Sequence, residues 1–195
     1  MSEPISKVQF EQHLTEAVSI TLDALDTFEL FYCLTSQRQK KKYQKVFENH
    51  PRVFACIKPA LFSMLVLSLH KLLEDADDPI SLYRCVSMAR QLSLISRDQQ
   101  KDLKIRINGV KPIWQKVGVF RNNLVAHRDH SISVKKVFQT ANISPKELRN
   151  LVLLYCEVLN ELIGVIGKKP FDPKGHSFRL FTEFEGVLDA LLKTI

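Results

Sequence analysis

"SPKELRNLVLLYCEVLNELIGVIG", residues 144–167, opens with three signals for the start of a helix. Ser144 is an N-cap, Pro145 takes the first helical position where its missing N–H costs nothing, and Glu147 completes a capping box three residues after the cap. The apolar residues that follow recur every three or four positions, the spacing of a helix with one buried face. A long, capped, core-facing helix in the second half of the chain decides the class of fold to look for elsewhere.

The rest of the 195 residues agrees with it. Only six glycines occur among abundant Leu, Val, Lys, Glu and Gln, which disfavours a barrel or a doubly wound sheet, and 45% hydrophobic content is enough for a real core. From about Ser6 to Asn49, the residues Val8, Leu14, Val18, Leu22, Leu25, Phe28 and Phe31 predict one long helix or two stacked ones, ending in the basic run "QRQKKKYQK". That run reads first as a solvated helix face and second as an RNA groove. Pro51 opens a helix that is apolar nearly all round between Leu61 and Leu73, as expected for the central member of a bundle. Asp78 as N-cap and Pro79 at the first position predict a third helix reaching about Ile95. The Asn-Gly turn before Pro112 predicts a fourth, with Ile113, Val117, Phe120 and Leu124 as its buried stripe. A loop over 168–175 then leads to a short terminal helix.

The expected architecture is all-α: an up-and-down helical bundle over residues 1–168, with 169–195 as a loop and a terminal helix packing on the bundle or on a partner. The run Ala60 to Leu73 is interrupted by His70 and Lys71 and falls short of the roughly 18 apolar residues of a membrane span. The N-terminus has no basic segment followed by an apolar one. A cytoplasmic protein without membrane association is expected. Cys33, Cys56, Cys85 and Cys156 are far apart, form no CxxC motif, and read as small buried hydrophobes. A net charge of +7 would draw polyanions to the surface.

The densest chemistry is "FRNNLVAHRDH", residues 120–130. Periodicity places His127 beside the buried stripe and Arg121 one position off it, on the flank shared with Trp114, Val117 and Val125. Six residues of helix separate them by about 120° and 9 Å, a gap that a long arginine partly closes. An imidazole moves protons near neutral pH and a guanidinium holds a phosphate bidentately, a combination suited to cleaving RNA through its own 2′-hydroxyl. The plainer reading pairs Arg121 with an acidic neighbour, uses His127 to cap a helix end and leaves the asparagines to turn chemistry. A metal site at His127, Asp129 and His130 lacks a nominated further ligand.

"RNNLVAHRD", Arg121 to Asp129, resembles the signature of the HEPN superfamily, the higher eukaryotes and prokaryotes nucleotide-binding domains: an arginine followed by a polar residue and, a few positions on, a histidine. "SLHKLLEDADDPISLYRCV", Ser68 to Val86, is similar to a second block of its abortive-infection U-type branch. The resemblance covers about Leu61 to Gly167. It implies a helical bundle, usually a homodimer whose two motifs face one cleft, and metal-independent RNase activity without a cofactor. Under it, His127 transfers the proton, Arg121 contacts the phosphate, and Asn122 orients one of them. Lys111, Lys116 and Arg128 would then line an RNA-binding cleft. Many toxin members carry a tyrosine two residues after the histidine, where a partner nucleotidyltransferase inactivates them; here Asp129 stands in that place. An endoribonuclease in phage defence or a toxin-like stress response, with RNA as substrate and a cognate antitoxin or other regulator as partner, is the leading expectation. A non-catalytic module binding RNA, a nucleotide or a protein partner is the alternative. A third reading is a structural adaptor docking through Phe178, Phe181 and Phe184.

Overall fold

A computed structural model of the chain describes residues 5–74, 80–122 and 142–195. Among these residues it contains nine helices and no strand. They are α1 (Lys7–Thr35), α2 (Gln37–Lys42), α3 (Gln44–Asn49), α4 (Pro51–Lys71), α5 (Leu82–Gln91), α6 (Arg97–Gly109), α7 (Lys111–Arg121), α8 (Pro145–Val165) and α9 (Pro173–Lys193). The protein is an all-α helical bundle, as its sequence predicts.

The long helix α1 is the hub, packing against α4, α8 and α9, while α7 lies on α4 and α5 on α6. One core joins Phe10, Leu14 and Phe28 of α1 to Phe62, Leu65 and Leu69 of α4, Val117 and Phe120 of α7, and Leu151, Tyr155 and Leu159 of α8. The Phe62 and Phe120 rings meet edge to face with centroids 4.9 Å apart, a geometry aromatic quadrupoles favour. Tyr155, fully buried, donates its hydroxyl to the Leu69 carbonyl at 2.9 Å, so a backbone acceptor near the end of α4 is satisfied inside the core. A second, smaller core gathers Cys33, Leu34, Tyr43, Val46 and Phe54 around Leu188 of α9, with Phe181 and Phe184 packed on it.

Helix ends follow their local chemistry. Ser144 and Glu147 form the expected capping box of α8, whose far end closes with Gly167 at φ 74°. There the Gly167 and Lys168 N–H groups donate to the carbonyls of Gly164 and Ile163, a left-handed stop that glycine adopts freely. At α5 the same wrap is made by Ser93, at φ 56°.

Several expectations need correction. Helix α5 starts at Leu82 with Ser81 as its cap; Asp78 and Pro79 lie outside the described residues. It stops at Gln91, and α6 follows, a helix the apolar pattern did not announce because only Leu103 and Ile107 of it are buried. Its capping box, Ser96 with Gln99, was the available signal. Helix α9 starts at Pro173 behind the Asp172 cap, so the preceding loop is shorter than expected. Cys56 is exposed, unlike the other three cysteines.

The fullest correction concerns α4. It does not sit at the centre of the bundle: Phe62, Leu65, Val66 and Leu69 face the core, but Val53, Ile57, Met64 and Leu67 remain 37–55% exposed on the opposite side. Among the described residues α4 is the helix long and apolar enough, by length and composition, to cross a membrane, because it begins at Pro51, well before the apolar run at Ala60.

Candidate functional site

The C-terminal ends of α4 and α7 lie side by side, and this brings chemistry together. On α7, Trp114, Gly118 and Arg121 share one face, spaced four and three residues apart. They meet His70 near the end of α4 and Glu74 just beyond it. The Trp114 indole N–H donates to the His70 carbonyl at 3.1 Å, and its ring lies against the imidazole with centroids 5.0 Å apart. Gly118 leaves room beside the imidazole: a Cβ there would stand 3.7 Å from His70 Nε2. His70 Nδ1 faces Glu74 Oε1 at 3.5 Å, and the same oxygen lies 3.6 Å from Arg121 Nη2.

His70 is 9% exposed. Burial, and then the nearby Arg121 charge, push its pKa below the ordinary histidine value against the opposing pull of Glu74. The imidazole is therefore held neutral at physiological pH. The Arg121 side chain is 43% exposed, and among the described residues its ion pair is a loose contact of one nitrogen with Glu74. Its backbone neighbour Asn122 is exposed and C-caps α7, its N–H donating to the carbonyls of Gly118 and Val119.

Of the residues singled out from sequence, Arg121 and Asn122 stand together at this end of α7. Lys116 lies elsewhere, bonded at 2.6 Å to Glu147. That contact, and the Ser144 cap after it, hold the Glu147 carboxyl down to about 2. Lys111 is exposed at the start of α7, ten residues from Arg121 and so about 15 Å along the helix. His127 and Arg128 lie outside the described residues, as do Leu124, Asp129 and His130. Sequence reasoning missed His70 and Glu74; it placed Trp114 on the Arg121 flank without giving it a role. The signal was the lone histidine breaking the apolar run in "SLHKLL", with a glutamate four residues on.

A family model described as HEPN_AbiU2, AbiU2, matches residues 7–179. That span takes in α1 to α8 and the first turns of α9, so the bundle and its Arg121 end fall inside one HEPN-type module. The chain belongs to the AbiU2 family of HEPN proteins. No curated protein and no solved structure matches it.

Proposed function

We propose that the chain is a metal-independent HEPN endoribonuclease, and that two copies of it build one RNA-cutting cleft around Arg121 and His127. The observation that carries this reading is the Arg121 guanidinium, 43% exposed and held loosely at one nitrogen by Glu74, on the helix that precedes the family's histidine in sequence. In the reaction the RNA 2′-hydroxyl loses its proton and its oxygen attacks the adjacent phosphorus. The bond from phosphorus to the 5′ oxygen breaks, leaving a 2′,3′-cyclic phosphate and a 5′-hydroxyl. His127 handles the proton, Arg121 neutralises the phosphorane-like transition state, and Asn122 orients one of the two. The lysines Lys111 and Lys116, with Arg128, are the proposed backbone contacts; Lys116 would have to leave Glu147 to serve.

The exposed face of α4 supports pairing with a second copy. Val53, Ile57, Ala60, Met64 and Leu67 alternate spacings of four and three, the seam one helix offers to another. Parallel pairing along this face sets both α4 C-termini, each with its His70 and Arg121, at the same end of the dimer. Antiparallel pairing would send them to opposite ends. The abortive-infection name of the family supports a setting in phage defence, with a cytoplasmic location and a regulator that holds the activity in check.

The test is RNA incubated in EDTA with the protein and its His127→Ala variant, with the fragment ends analysed. Cyclic-phosphate and 5′-hydroxyl ends produced only by the parent protein are expected. Equal cleavage by both proteins, or none by either, sinks the proposal. Salt-dependent RNA binding without scission would establish the non-catalytic alternative, which the ion pair of Lys116 with Glu147 favours.

A further inference from the structure

The charge of this protein is concentrated at one end. Residues 37–58 hold seven cations, Arg38, Lys40, Lys41, Lys42, Lys45, Arg52 and Lys58, against one carboxylate, Glu48; that is +6 of the chain's net +7. The remaining residues are balanced to within one charge.

The fold turns this segment into a surface. Helices α2 and α3 stand against the start of α4, and between them lies a cleft of about 570 Å³ lined by Lys40, Lys41, Gln44, Phe47 and Lys58, among others. A second cleft adjoins it across Lys41 and Gln44 and adds Lys42 and Lys45. Lys42 is neutralised by Glu185 and Asp189 of α9. Lys40, Lys41, Lys45 and Lys58 have no ion pair among the described residues, and the one lining carboxylate, Glu48, is bonded by Gln44 at 2.7 Å. Lys58 Nζ lies 4.8 Å from the centre of the Phe47 ring, on the floor of the cleft. Burial, and then the charge of Lys40, lower its pKa, as expected where like charges stand close together. The N-terminus of α4, which no side chain caps, adds the positive end of a 21-residue helix dipole. Cations at the end of α2 also suit that helix's own dipole, but α2 is six residues long and accounts for neither Lys45 nor Lys58.

We infer that the cleft between α2, α3 and the start of α4, together with the cleft adjoining it, is a second anion-binding site, which holds the sugar-phosphate backbone of single-stranded RNA through Lys40, Lys41 and Lys58 of the first and Lys45 of the second. The choice of RNA as the polyanion rests on the RNA-directed reading above. Lys58 and His70 are twelve residues apart on α4, about 18 Å along its axis, so the cleft grips the strand away from the Arg121 end. It adds affinity that is sensitive to salt and indifferent to sequence.

The test measures binding of fluorescein-labelled oligouridine by anisotropy over a range of salt in EDTA. It uses the Arg121→Ala protein, which keeps the probe intact, with and without Lys40→Gln, Lys41→Gln, Lys45→Gln and Lys58→Gln. Each lost backbone contact reduces the slope of log affinity against log salt by about 0.7, so the slope should fall by two to three units. A triple variant sparing the half-buried Lys58 should lose about two and serves if the fourfold variant misfolds. An unchanged slope overturns the inference, and so does binding to phosphatidylserine vesicles but not to oligouridine. Salt-dependent binding that needs these lysines in a protein that never cleaves RNA supports this site and removes the nuclease reading alone.

Discussion

Arg121 and His70 share one carboxylate: Glu74 Oε1 stands 3.6 Å from the guanidinium and 3.5 Å from His70 Nδ1. Glu74 is thus the group that ties the end of α7 to the end of α4. The Arg121 contact is long and partly exposed, in the range where an ion pair contributes about 0.2–1 kcal/mol. Glu74→Gln should therefore weaken RNA cleavage by no more than about fivefold, through a less well held Arg121. A loss as large as that from removing Arg121 itself would assign Glu74 a direct part in the chemistry.

Acid should weaken the fold in a window set by His70. Its folded-state pKa lies below the ordinary value of about 6.5, so the unfolded chain takes up a proton first as the pH falls. The stability linked to His70 is complete above that value and is lost as the pH drops through it towards the lower folded-state value. Glu147 acts further down: its contribution is complete above its ordinary 4.5 and is lost progressively as the pH falls from there to about 2. Thermal melts across pH should show a fall just below about 6.5 that His70→Gln flattens and Glu147→Gln leaves in place. An unchanged slope in the His70 variant would contradict the account.

Gly118 has space for a methyl group. Among the described residues its Cβ would meet only the His70 ring, at 3.7 and 3.8 Å, ordinary contact distances. Replacing a helix-interior glycine with alanine restricts the unfolded chain, so Gly118→Ala should stabilise the protein by about 0.5–1 kcal/mol. Chemical denaturation measures it. Destabilisation would mean that the ends of α4 and α7 pack more tightly than these distances state.

Ser93 offers a similar gain for a different reason. It ends α5 in the left-handed region at φ 56°, where a Cβ is crowded and glycine is at ease. Ser93→Gly should raise stability by up to about 1 kcal/mol, measured by the same denaturation curves. A loss would indicate that the serine side chain makes a compensating contact.

What the sequence disclosed depended on how each element is stabilised. Helix α8 was readable because its cap, its proline and its apolar stripe all lie within one short stretch. Helix α6 was not, since it buries only Leu103 and Ile107, and the Ser93 turn before it uses a residue other than glycine. Apolar composition suggested that α4 was central; whether its second face is covered is a property of the assembled bundle that no local pattern encodes. At the site, Arg121 and Asn122 came from a contiguous motif. Trp114 shares the Arg121 flank of α7 by helical spacing, but His70 and Glu74 joined them only through the packing of α4 on α7, across more than forty residues of chain.

The most direct test of the central claim is the single-turnover rate of RNA cleavage in EDTA by the parent protein and by Arg121→Ala. Removing a donor that stabilises developing charge costs about 10²–10³ in rate, so the variant should be slower by at least that much while its thermal melt stays close to the parent's. Equal rates, or no cleavage by the parent under any ionic condition, would contradict the assignment of this end of the bundle as a ribonuclease site.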